Sequence, residues 1–369
     1  PPLRPRGPAA PRSGPGRASW GAPGRPAGAG RPGTVAFTAG GGRAGGRGAG
    51  ARRGKPGGLS GLTGLQLRVV SSVGMGAVGA LALCNAWTFA AGLAGLSYLC
   101  AVEYLQMHKA VKGLKKSPAL IRESLKLTCV GVILGTQAGI RTGLFEVGSF
   151  VLLSMLLLKK AYARKKKKRR VRLSQIAGTI FGLFYCGYLP SFWVRVRQLD
   201  SPLFGFTEWG PLGRLLVAEG VEPQLGMMAT ILPTLCIVAA DSGAYFVGKA
   251  LGRTKLISIS PNKTVEGAGG GLLSSVGICL LFAFLIGWPQ LPVAAALGGI
   301  VFVASLFGDL IESSMKRDAG LKDASGAIPG HGGVLDRFDS YMFTGVLVYC
   351  FWYWYLWSTG QPISAPLLR

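Results

Sequence analysis

The sequence predicts an all-α, polytopic membrane protein of about nine transmembrane helices, preceded by a basic leader. Three observations carry this expectation. Of the 369 residues, 49% are hydrophobic and 15% are charged, a low charge content for a soluble domain. The apolar residues gather in runs long enough to cross a bilayer, separated by short polar connections. The 41 Lys and Arg greatly exceed the 15 Asp and Glu, and the excess falls in the leader and in loops beside the apolar runs. That distribution follows the positive-inside rule rather than a nucleic-acid footprint, so no nucleic-acid partner is expected.

Residues 1–64 are mainly Arg, Gly, Pro and Ala, with no acidic residue. Without hydrophobic periodicity they cannot bury a core, so they are expected to be disordered. An acid-poor, Arg-rich leader reads as an organelle targeting peptide, although it is poorer in Ser than a chloroplast one and a flexible tail or a misassigned gene start has the same composition. Residues 65–369 then form the transmembrane domain. Val69–Cys84 and Ala86–Gln106 make a first pair of spans with a very tight connection. Leu125–Ala138 and Leu144–Leu158 are a shorter second pair. Leu173–Val194 is a fifth span, kinked at Pro190, where the ring removes a backbone donor. After a polar stretch from Arg195 to Gln224 come Leu225–Val247, Leu272–Ile286, Leu291–Leu306 and Tyr341–Trp357. The last is rich in Trp and Tyr, as where a helix meets the headgroup layer.

Alternate connections carry the basic residues: Lys109 to Arg122, Lys159–Arg172, Lys249 to Lys263 and Lys316 to Arg337. Roughly twenty lie on that side against about five on the other, which places it toward the cytoplasm or, in a plastid, the stroma. The run Ala163–Arg172 follows an apolar span and reads as a topological anchor on anionic headgroups rather than as a nucleic-acid patch. The seven cysteines (Cys84, Cys100, Cys129, Cys186, Cys236, Cys279, Cys350) are scattered through apolar segments with no C-x-x-C pair. They imply neither a zinc site nor a disulfide framework.

Between the last two spans, Phe307–Asp339 breaks the apolar pattern. It holds Asp309, Glu312, Asp323, Asp336 and Asp339 interleaved with Lys316, Arg317, Lys322 and Arg337, and His331 sits in a Pro-Gly-His-Gly-Gly turn. Carboxylates at this density suit a hard cation and adjacent bases suit phosphate, although a solvated, salt-bridged loop has a similar composition. A second polar element lies earlier. Asp241 stands in an otherwise apolar span, where a carboxylate is costly unless it faces a polar cavity or is a hydrogen-bonded structural group. It is followed by Ser260-Pro261-Asn262-Lys263-Thr264-Val265-Glu266-Gly267, which by itself reads equally as a helix-capping turn.

Ser313, Met315, Lys316-Arg317, Lys322-Asp323, Ser325, Ile328, Pro329 through Gly333 and Asp336-Arg337-Phe338-Asp339 together resemble the signature of the phosphatidate cytidylyltransferases of bacterial and plastid type, without departure. Ser260–Gly267 is similar to that family's Ser-Pro-x-Lys-Thr-x-Glu-Gly element, and Ala101–Tyr104 resembles, more weakly, its second helix. The resemblance implies an enzyme that joins CTP to phosphatidate, giving CDP-diacylglycerol and pyrophosphate for phospholipid synthesis in a membrane. It implies nucleotide handling by Ser260, Lys263, Thr264, Glu266 and Asp241. Catalytic roles fall to Asp309, Asp336, Asp339, Lys316, Arg317, Lys322, Arg337 and His331. Mg2+ would be held by Asp309, Asp336 and Asp339, with a second monovalent or divalent cation and a homodimer left open. His331 would either donate to a phosphate or hold its turn. Two other readings compete: a CTP-using membrane kinase of a polyprenol or phytol alcohol, which would need a base for its hydroxyl, and an anion or nucleotide transporter, which should show paired broken helices.

Overall fold

The computed structural model describes residues 85–361, except 112–118, 141–145, 148, 152, 155–156, 159–172, 200–209, 212–213, 215–223 and 326–331. The leader, the first span Val69–Cys84, the anchor run Ala163–Arg172, His331 and much of the fourth span lie outside the described residues.

The described chain is almost entirely helical. In order it forms α1 (Ala86–Ala110), α2 (Ala119–Gln137), α3 (Leu173–Leu183), a π-helical turn (Phe184–Tyr188), α4 (Leu189–Arg197), α5 (Leu225–Leu251), β1 (Lys255–Ile257), β2 (Ser260–Thr264), α6 (Val265–Ile286), α7 (Leu291–Asp318) and α8 (Leu335–Ser358). Among the described residues, α1, α5, α6 and α7 are long and apolar enough to cross a membrane. Each contains the core of a span expected from the sequence.

Local chemistry sets the boundaries. Asn85, left between two apolar runs, caps α1 by accepting the Trp87 N–H at 2.8 Å. Gly287 ends α6 in the left-handed region, φ 75°, which a side chain would strain. Pro292 then occupies the first turn of α7, where its missing N–H costs nothing.

The expected break near Pro190 is a π-helical turn that begins before the proline and leads into α4. Within this turn the Ser97 hydroxyl of α1 donates to the buried Cys186 carbonyl, which ties α1 to the bend.

Two apolar clusters fill the interior. One gathers Phe192, Trp193, Leu232, Ile237, Val301 and Trp352, and the other Cys100, Tyr104, Leu125, Tyr185 and Met342. Helix α8 contributes to both, Met342 near its start and Trp352 near its end. It is also pinned to α4 by the Trp193 indole N–H, which donates to the Tyr341 carbonyl at 2.9 Å. At its aromatic end the Trp288 indole donates to the Tyr355 hydroxyl at 3.1 Å, inside the fold.

Two features depart from the sequence reading. The segment around Ser260–Thr264 is a short antiparallel hairpin, with Ile257 opposite Ser260 and Lys255 opposite Thr264. Helix α7 does not stop at Leu306 but continues to Asp318, so Asp309, Glu312 and Lys316 share one face of a single helix.

Candidate active site

Helices α5 and α6 approach closely because glycine leaves room between them. A β-carbon on Gly270 would lie 2.5 Å from the Val247 side chain, and one on Gly271 would lie 2.9 Å from the Ala240 carbonyl oxygen. This contact brings Asp241 of α5 beside the hairpin that leads into α6. Together with α7 these elements border an open cavity of about 550 Å³ whose lining includes Asp241, Tyr245, Lys263, Thr264, Phe302 and Asp309. The walls are apolar where α7 contributes Phe302 and Leu306, and charged at the hairpin end.

The two motif segments meet directly in this cavity. Lys263 at the end of β2 forms an ion pair with Asp309 of α7, and Ser313 Oγ donates to the other oxygen of Asp309 at 3.2 Å. Asp241 lies in the electrostatic field of Asp309, Lys263 and Arg337. The intramembrane carboxylate thus has the polar cavity its cost requires.

A second close approach joins α7 to α8. A β-carbon on Gly308 would lie 2.3 Å from the Asp339 carbonyl oxygen. Only glycine lets the first turns of α8 settle there, which gathers one oxygen each from Asp309, Glu312 and Asp339 to within 4.8 Å of one another. Glu312 is wholly buried and Asp339 is nearly so. Lys263 pairs with Asp309 and Lys316 with Glu312, while no salt bridge reaches Asp339 among the described residues. Asp339 accepts the Ser340 N–H at 2.6 Å. Three carboxylates facing two lysines leave a surplus of negative charge on hard oxygen donors, the kind of site that suits Mg2+.

Asp336 is placed differently from the other two aspartates of the expected metal set. Lys316 donates to it at 2.8 Å, and the N–H groups of Gly333 and Ala324 at 2.8 and 3.0 Å. Burial works against its charge, yet contacts with Glu312, Lys316 and the Gly333 amide hold its carboxyl below the usual carboxylate range. Lys316 therefore links Asp336 to Glu312, and Glu312 stands beside Asp309 and Asp339.

The remaining expected residues divide. Thr264 caps α6, its Oγ accepting the Gly267 N–H at 3.1 Å. Glu266 accepts the backbone N–H groups of Arg253 and Thr254, both at 3.1 Å, and so closes the hairpin onto α6. Ser260 opens β2. Arg317 is exposed and donates to the Leu321 carbonyl at 3.2 Å. Lys322 and Arg337 are exposed at the same end of the fold, and His331 lies outside the described residues. The sequence assigns no role to Glu103, a buried carboxylate of α1 whose hydrogen-bond partners among the described residues lie in the signature. The signals for it are its place in an apolar span and the weaker resemblance of Ala101–Tyr104 to the family's second helix.

The chain is similar to known proteins over most of its length. The chain is 39% identical over 291 residues to phosphatidate cytidylyltransferase 5, chloroplastic, of Arabidopsis thaliana, covering 77% of this chain and 71% of that one. It is 38% identical over 294 residues to phosphatidate cytidylyltransferase 4, chloroplastic, of the same plant, covering 78% and 73%. To the phosphatidate cytidylyltransferase of Synechocystis it is 39% identical over 295 residues, covering 77% of this chain and 95% of that protein. The model of the cytidylyltransferase family matches residues 66–355, a stretch that holds the cavity, the carboxylate group and both motif segments, and the chain belongs to that family.

Proposed function

We propose that the protein transfers the cytidylyl group of CTP to phosphatidate, forming CDP-diacylglycerol and pyrophosphate. The observation that carries this reading is the Lys263–Asp309 ion pair, which joins the two motif segments across one cavity beside three clustered carboxylates. An oxygen of the phosphatidate monoester attacks the α-phosphorus of CTP, and the bond from that phosphorus to the β-phosphate bridging oxygen breaks. The attacking oxygen is already ionised at neutral pH, so the site needs no strong base. Its task is to hold two anions together in line.

Lys263 would hold phosphate oxygens of the nucleotide at the hairpin, with Ser260, Thr264 and Glu266 setting the shape of that turn. Lys316, Arg317, Lys322 and Arg337 would receive phosphates from the signature side, Arg as a two-pronged donor and Lys as a point charge. Asp309, Glu312 and Asp339 would hold Mg2+, while Asp336 orients Lys316 and the turn before α8. Bound there, Mg2+ would supply charge neutralisation on substrate phosphate oxygens. Asp241 would act at the hairpin end of the cavity, on the nucleotide side.

The reading extends to placement. About nine spans put both motif segments on the basic face, which in a plastid membrane points to the stroma. Residues 1–64 would act as the transit peptide, so a fusion of this segment to a fluorescent protein should enter plastids; a fusion left in the cytosol would remove that assignment.

The activity is tested on detergent-purified protein with a panel of nucleotides and lipids, with and without Mg2+. Pyrophosphate release from CTP should require both phosphatidate and Mg2+. Release of CDP with a phosphorylated phytol or polyprenol would indicate a kinase instead, and nucleotide uptake into vesicles without chemistry would indicate a transporter.

A further inference from the structure

Glu103 lies on α1, far in sequence from the signature, and is 3% exposed. A buried carboxylate needs strong partners, and those of Glu103 come from both ends of one signature segment. Ser325 Oγ donates to it at 2.5 Å, Val334 N–H at 3.0 Å and Leu335 N–H at 2.8 Å. The close approach depends on glycine, since a β-carbon on Gly333 would lie 2.7 Å from Glu103 Oε2.

These partners are informative for the helix that follows. The first N–H groups of a helix have no acceptor within it. Helix α8 starts at Leu335, and the residue before it, Val334, offers no side-chain cap. The cap therefore comes from a different helix, and it carries the negative charge that a helix N-terminus favours. The same carboxylate holds Ser325, so the two ends of the segment that contains the Pro-Gly-His-Gly-Gly turn are held at one point. Downstream of it, Asp336 and Asp339 lie in the first turns of α8.

We infer that Glu103 is a positioning residue, a clasp between α1 and the signature that fixes the start of α8 and thereby the placement of Asp336 and Asp339. The inference rests on the cytidylyl-transfer reading for its kinetic consequence, but its structural content does not. A carboxamide of the same shape offers an acceptor on one side and an N–H on the other, so it cannot satisfy donors on both oxygens.

The test is Glu103→Gln in the full-length, detergent-purified protein, with turnover and backbone hydrogen exchange both measured. The turnover number should fall about tenfold or more, while the Michaelis constants for CTP and phosphatidate change less than about threefold. Exchange should rise in peptides covering residues 332–340 and stay unchanged in α6. Ser325→Ala, which leaves both amide bonds in place, should produce a smaller change of the same kind and covers the case in which Glu103→Gln does not fold. Wild-type turnover in Glu103→Gln, exchange that rises equally throughout the protein, or a Ser325→Ala variant unchanged in both measurements would overturn the clasp. If the wild type does not turn over CTP with phosphatidate, the reading of the activity fails, and the exchange comparison alone decides the clasp.

Discussion

Replacing Gly308 by Ala tests whether the contact between α7 and α8 builds the site. The added β-carbon would stand 2.3 Å from the Asp339 carbonyl oxygen, 3.1 Å from its carbonyl carbon and 3.3 Å from the Ser340 α-carbon. The first of these is roughly 1 Å short of a tolerable carbon–oxygen contact. Both partners are helix backbone, so no side chain can swing aside and α8 itself must move. Overpacking of this kind costs about 1–3 kcal/mol. A shift near 1 Å in the carboxylates should cost about a hundredfold in rate. The assay is the turnover number at saturating CTP and phosphatidate across a Mg2+ titration, read beside thermal stability in the same detergent. Gly299→Ala on the same helix is the control: a β-carbon there meets nothing within 4 Å. It should leave activity intact and stabilise α7 by about 0.5–1 kcal/mol. Equal activity in the two variants would refute the argument that this close approach assembles the carboxylates.

Asp339→Asn keeps the shape of a buried side chain while removing charge, so turnover should fall about a hundredfold and the Mg2+ requirement should shift to higher concentration; an unchanged Mg2+ titration would take Asp339 out of the metal site. Asp336→Ala releases Lys316 and the Gly333 and Ala324 amides together, and should also cost about a hundredfold in turnover; near-normal activity would show that this network is dispensable. Lys263→Ala should mainly raise the Michaelis constant for CTP and change the turnover number less. Weakened phosphatidate dependence with CTP dependence intact would move the hairpin to the lipid headgroup.

The positions of the helices were legible because long apolar runs and their breakers are local signals. Ala86, Leu225 and Leu291 begin helices where the sequence reading placed them, and Pro190 marks a real interruption. The extension of α7 was hidden because the reading followed hydropathy, and beyond Leu306 the helix continues through charged residues that turn toward α8 and the hairpin. The hairpin was hidden for a related reason: Ser-Pro-Asn-Lys has little strand propensity, and the turn is closed by Glu266 from the next helix. Motif residues can be named one by one from the sequence, but their grouping depends on where helices touch. Nothing in the spacing tells that Gly308 admits the Asp339 backbone, that Glu312 stands with Asp309 and Asp339, or that Glu103 reaches across to the signature. Those facts belong to packing between distant segments, which a linear pattern does not encode.

In the proposed reaction the protein positions a phosphatidate oxygen against the α-phosphorus of CTP and leaves the chemistry to the substrates. Phosphatidate labelled with 18O on its terminal phosphate oxygens, incubated with CTP, Mg2+ and the purified protein, reports which bonds form and break. The label should be retained wholly in CDP-diacylglycerol, with one unlabelled pyrophosphate released for each molecule formed. Label in the pyrophosphate, or its loss to inorganic phosphate with diacylglycerol, would rule out attack by the phosphatidate oxygen.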